Sequence, residues 1–126
     1  MKTADLSGVL LDYWVAKAEG YEPWAGATIP KGEFMWKAPR AIGTDIGWVT
    51  HRFSQDWAHG GPIIERKRIA LQWLAKTREW DARCDSASGS FTGYALATAP
   101  LVAAMRAYVT SEFGDEVPDP GDIRNE

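Results

Sequence analysis

Between residues 56 and 66 the run Asp56-Trp57-Ala58-His59-Gly60-Gly61-Pro62-Ile63-Ile64-Glu65-Arg66 gathers what a small binding site uses. Trp57 offers a stacking face, His59 a group that titrates near neutrality, and Gly60 and Gly61 permit close backbone approach. Pro62 would open a helical turn over 63–67 whose unbonded N–H groups favour an anion. Arg52 and Arg66 could reach a phosphate or carboxylate, and Trp48 supplies a second indole on which a base could stack. The plainer alternative is a tight Gly60-Gly61-Pro62 turn, with Trp57 in the core and His59 in solvent. The run is no P-loop, because the Gly-Lys-Ser/Thr ending is absent.

Other chemistries are thinner. A zinc site would need both histidines, His51 and His59, with acids such as Asp45, Asp56 or Glu65, yet no HExxH or CxxC spacing exists. No cofactor or metal is expected. A small hydrolase could use His59 or His51 as base with Asp56 or Glu65 orienting it, which falls short of a full catalytic constellation. Cys84 reads as a strand residue, and Ser86, Ser88 and Ser90 as linker without a nucleophile elbow. Asp81 and Asp85 share a strand face that reads as a solvated edge. Glu65-Arg66-Lys67-Arg68 is mixed in sign and too short for a nucleic-acid patch.

Composition limits the field further. The 126 residues suit one core, and 45% hydrophobic with 25% charged residues is ordinary for a globular chain. A net charge of −3 and a pI near 5.4 argue against holding duplex nucleic acid by its phosphates. The seven tryptophans, at 14, 24, 36, 48, 57, 73 and 80, are many for this length. A small core cannot easily submerge them all and satisfy every ring N–H, so some are expected to line the surface. The one cysteine makes no internal disulfide, and neither a secretory block nor a membrane-spanning run is visible, so cytoplasm is the expected location.

The elements that must position these residues follow from periodicity and breakers. A helix is expected over about 4–19, with Leu6, Leu10, Tyr13 and Lys17 on one stripe and Gly20 as its cap. Residues 21–44 hold three prolines and three glycines and read as a wandering segment with short extended pieces pinned by aromatics. Ile46–Phe53 reads as a strand. Arg68–Leu74 and Glu79–Cys84 read as a hairpin around Ala75-Lys76-Thr77-Arg78, followed by a flexible Asp85–Gly93 connection. A last helix starts near Thr98 or Ala99, with Thr98 as N-cap and Pro100 in its first turn, and Gly114 stops it. The expected fold is α+β, a small antiparallel sheet of about three to four strands packed with an N-terminal and a C-terminal helix. One globular domain spans 1–114, and 115–126 is a loosely held acidic tail containing Pro118 and Pro120.

The 56–66 run, Ala103-Ala104-Met105-Arg106, Phe113-Gly114-Asp115-Glu116-Val117 and Leu11-Asp12-Tyr13-Trp14-Val15-Ala16-Lys17-Ala18-Glu19-Gly20 together resemble the NinX-like family of small phage and prophage proteins, in the same order along nearly the whole chain. The resemblance implies a temperate-phage or prophage origin, an accessory rather than virion role and expression in host cytoplasm. It brings no biochemical activity. With the indoles and the arginine-flanked glycines, it leads to the expectation of a non-enzymatic binder used in host takeover or anti-defence. Such a binder would sequester a small anionic ligand such as a nucleotide immune signal, or dock a host protein. The hydrolase and a ligand-free, oligomer-forming accessory protein are the alternatives. Homo-oligomers fit all three, since exposed aromatic surface tends to be covered.

Overall fold

A computed structural model describes residues 1–20, 22–23, 36–37, 48–49 and 52–118. Its architecture is the expected α+β arrangement, with an N-terminal and a C-terminal helix flanking a three-stranded antiparallel sheet. The sheet runs β4 (Ala70–Leu74), β5 (Glu79–Asp85) and β6 (Thr92–Ala97), each paired with its neighbour in sequence. A second set of short strands, β1 (Glu22–Pro23), β2 (Trp36–Lys37) and β3 (Trp48–Val49), pairs antiparallel in the order β1-β2-β3. β1 and β2 are short extended pieces of the kind the breakers between 21 and 44 predict, and β3 falls within the expected strand over 46–53.

The hairpin forms where the sequence places it. Trp73 pairs with Trp80 beside the Ala75–Arg78 turn, their rings 5.4 Å apart. Its first strand starts at Ala70 rather than Arg68, because Arg68 takes the left-handed conformation (φ 53°) that ends the preceding helix. Beyond Asp85 the chain is not a long flexible connection. A bend over 86–91 leads into β6, whose inward residues Gly93, Ala95 and Ala97 are buried. From β5 the inward residues are Ala82 and Cys84, also buried, so Cys84 sits in a strand as expected.

Onto this face of small side chains lies α3 (Pro100–Phe113). Ala99, not Thr98, is its N-cap, with Pro100 at the first helical position and Gly114 (φ 86°) ending it. Because α3 also meets the helices Gly8–Ala18 and Trp57–Lys67 and the N-terminal turn, it is buried on nearly all sides, with Leu101, Ala104, Met105, Tyr108 and Val109 at 3% exposure or less.

The first helix is shorter than its periodicity predicts. Thr3–Asp5 forms a 3-10 turn, and α1 runs only from Gly8 to Ala18. The break falls at Leu6, whose side chain is fully buried and whose carbonyl accepts Arg106 Nε of α3 at 2.6 Å. A tertiary bond thus takes the acceptor that a continuous helix would have used. Gly20 follows α1 at φ 86°, as a helix stop should. Nearby, Glu19 joins the three helices by accepting from Tyr108 Oη at 2.5 Å and from Arg66 Nη2. Burial, reinforced by this carboxylate, pushes the Tyr108 hydroxyl well above the usual tyrosine range.

After Gly114 the chain does not trail away at once. Glu116 bridges Lys2, Val117 N–H donates to Met1 O at 2.9 Å, and the Val117 side chain is buried. The expected loose tail is therefore corrected for 115–117, where a single apolar residue and the free main chain of Met1–Thr3 provide an anchor. Residues 119–126 lie outside the described residues.

Candidate functional site

The segment singled out in the sequence is a helix rather than a turn. Asp56 has an extended backbone and its Oδ1 accepts from Ala58 N–H at 2.9 Å, capping α2 (Trp57–Lys67). Gly60, Gly61 and Pro62 therefore sit inside the helix, and the proposed helix start at Pro62 is corrected to Trp57. Two consequences follow for anion binding. The Gly60 amide donates to Asp56 O at 2.9 Å, so it is not presented to a ligand. The Ala58 amide of the true first turn already donates to the carboxylate of Asp56, whose negative charge opposes a second anion there.

The two glycines serve different contacts. A Cβ on Gly60 would stand 2.3 Å from the carbonyl oxygen of Phe53 and 2.6 Å from Leu101 Cδ1, so Gly60 lets α2 press against its own chain. At Gly61 the space is filled by Trp57, whose Cε3 lies 3.8 Å from where a Cβ would be. The indole of Trp57 therefore has its Cε3 edge near the bare helix surface at Gly61, one turn along, and is 53% exposed. A large exposed ring at a helix start offers apolar area for contact.

His59 is half-buried, its ring 6.4 Å from that of Phe53, and its Nδ1 accepts the Arg52 backbone N–H at 2.9 Å. That bond gives Nδ1 no proton to offer Asp56, whose Oδ2 is 4.0 Å away, so Asp56 does not orient His59 as the acid of a catalytic pair would. Arg52 is exposed beside this helix end. Arg66 is not part of the same site. It lies nine residues along α2 from Trp57, roughly 13 Å by helical rise, and binds Glu19. Trp48 falls in β3 but its side chain lies outside the described residues, as does His51. The expected strand over 46–53 is described only at Trp48–Val49, and Phe53–Gln55 forms a turn because Gln55 and Asp56 N–H both return to Arg52 O.

A residue passed over in the sequence sits under this turn. Asp12 of α1 is buried, and its Oδ1 accepts Ser54 N–H at 2.8 Å and Ser54 Oγ at 2.7 Å. The signal was an acid inside the apolar run Leu10-Leu11-Asp12-Tyr13-Trp14. Burial raises the Asp12 pKa above the ordinary carboxylate value, opposed by the Ser54 bonds and by the positive charge of Arg52. A carboxyl that holds its proton more tightly when folded adds stability below its unfolded pKa, and loses that contribution as pH rises through the folded pKa. Denaturant titrations at several pH values are expected to show the stability difference between wild type and Asp12→Asn shrinking from about pH 4 upward and then levelling. A difference that does not vary with pH would contradict the assignment.

Among the described residues no group of three or more His, Cys, Asp or Glu could hold a metal ion, and no helix is long and apolar enough to cross a membrane. The fold and this helix end define a small α+β protein with an exposed indole at the start of α2 and a buried Asp12–Ser54 pin beneath the preceding turn. A family model described as Bacteriophage P22, NinX matches residues 2–112, and the chain belongs to that family of phage proteins. No curated protein matches the chain.

Proposed function

We propose that this phage accessory protein is a non-enzymatic binder that acts in the host cytoplasm by docking a host protein, with the ring face of Trp57 as its central contact. The observation that carries the reading is the 53% exposure of the Trp57 indole at the start of α2. Tryptophan side chains are among those that dominate binding energy at protein interfaces. Sequestration of a nucleotide is the second reading. Trp57 and the exposed Arg52 at one helix end favour it, and the Asp56 carboxylate at that same end works against it. The hydrolase reading loses support from the hydrogen bond that His59 Nδ1 accepts. Self-association through exposed aromatics is part of the proposal, and light scattering on the purified protein tests it.

Trp57→Ala is the decisive variant. The side chain is mostly in solvent, so unfolding stability is expected to change by no more than about 0.5 kcal/mol. A host protein recovered specifically by the wild type from lysate should be lost by the variant. Recovery of the same protein by both would dispose of Trp57 as the contact. Titration of a nucleotide panel, read by tryptophan fluorescence, separates the two readings: quenching by one nucleotide in the wild type and not in Trp57→Ala would favour sequestration.

A further inference from the structure

The outer edge of β6 is closed at one end and open at the other. Ser86 N–H donates to Phe91 O at 2.7 Å, which makes 86/91 a hydrogen-bonded pair. With the observed register, the bonded pairs then recur at Cys84/Gly93, Ala82/Ala95 and Trp80/Ala97. The main chain of Thr92, Tyr94 and Leu96 therefore points away from β5. At Leu96 the edge is covered, because its carbonyl accepts Arg106 Nη1 at 2.9 Å while Nε of the same guanidinium holds Leu6 O. That clamp draws the N-terminal segment along the edge.

A hollow of about 380 Å³ lies beside Tyr94, lined also by Lys2, Thr3 and Ala4 of the N-terminal segment and by Asp115 and Glu116. Its volume lies within the roughly 300–1,000 Å³ of sites that hold ligands. Among the described residues nothing hydrogen-bonds the outward N–H and C=O of Tyr94. Open main-chain groups on a sheet edge are matched best by another strand.

We propose that this hollow receives an extended peptide segment of another polypeptide, which adds to β6 as a fourth strand at Tyr94. Main-chain bonding supplies the affinity, and the lining supplies a preference. Lys2 and Glu116 lie opposite each other across the terminal bridge and offset one another, which leaves Asp115 to favour a lysine or arginine on the incoming segment. The site is separate from Trp57 and stands or falls independently of it.

The test uses the full chain, labelled for amide NMR, and the capped peptide acetyl-Thr-Val-Lys-Val-Thr-amide as probe. Addition of the probe is expected to shift the Thr92 and Tyr94 amides and slow their hydrogen exchange. The same peptide N-methylated at its central lysine should have no such effect. Tyr94→Ala keeps the main-chain donor and should bind. Tyr94→Pro removes it at an edge position where no ladder bond is lost, and should bind about tenfold more weakly. Unchanged exchange at Thr92 and Tyr94, equal binding of the N-methylated peptide, or equal affinity of the Ala and Pro variants would overturn the proposal. So would a dimer that Tyr94→Pro dissociates, since the edge would then belong to a second copy of this chain.

Discussion

Gly93→Ala is expected to destabilise the protein by about 3 kcal/mol and to lower Tm by about 10 °C. In most strands this substitution helps, because alanine restricts the unfolded chain more than glycine does. Here the added Cβ would stand 2.4 Å from Ala107 O and 2.6 Å from Ser111 N. Both are main-chain atoms of α3, so no side-chain rotation relieves the overlap, and the sheet must lift from the helix that fills the core. Cys84, directly opposite Gly93 in the ladder, is buried beneath the same helix and accepts from Ser111 Oγ at 3.5 Å. The strain therefore spreads to β5 as well. Thermal and urea unfolding followed by circular dichroism measure the loss, and a Tm within a degree or two of wild type would refute the close sheet–helix approach.

The second large effect sets two neighbouring glycines against each other. Both lie in α2, where alanine is intrinsically better than glycine by about 1 kcal/mol. At Gly61 nothing opposes that gain, because the nearest atom to a new Cβ is Trp57 Cε3 at 3.8 Å, an ordinary contact. Gly61→Ala should stabilise the protein by up to about 1 kcal/mol. At Gly60 the Phe53 carbonyl at 2.3 Å outweighs it. Leu101 can turn aside, but the Phe53 main chain is fixed in the turn that carries Ser54 onto Asp12. Gly60→Ala is expected to cost about 2 kcal/mol net. Shifts of the same sign in the two variants would mean that α2 does not press on the 53–55 turn.

How far this fold could be read from sequence depended on whether local pattern and burial agreed. The hairpin was legible because Trp73, Trp80 and the polar 75–78 turn state the same register three ways. The end of α3 was legible because Gly114 follows a long apolar run. β6 was not, and its pattern explains why. Tyr94 and Leu96 are the bulky residues and they are exposed, while the core face is Gly93, Ala95 and Ala97. A rule that sends large apolar residues inward reads this strand inside out. α2 was hidden by Gly60, Gly61 and Pro62, three breakers in a row, which the Asp56 cap and packing against Phe53 and Leu101 override.

The surroundings of the candidate site were legible in part and for partly different reasons. Trp57 is exposed, as some of the tryptophans were expected to be, while Gly60 packs closely on Phe53 and Leu101 inside a helix. Arg66 shares a short stretch of sequence with Trp57 yet belongs to the far end of a helix, because eleven residues read as a turn occupy one spot and read as a helix span three turns. Asp12 could not be assigned a role because its partner, Ser54, is 42 residues away and carries no local signature.

The pairing of Met1 with Val117 has a further meaning for the gene. The Met1 amine donates to Val117 O at 3.0 Å and Val117 N–H returns a bond to Met1 O, so these two residues are neighbours in one ladder. A linker built from Val117 to Met1 could therefore be short, and the exposed Ser88-Gly89 bend offers a place for new ends. A circular permutant opened there would keep α3 seated on the sheet while moving its synthesis ahead of β4 and β5. The order in which the elements leave the ribosome would then be free to vary without a change in which surfaces meet.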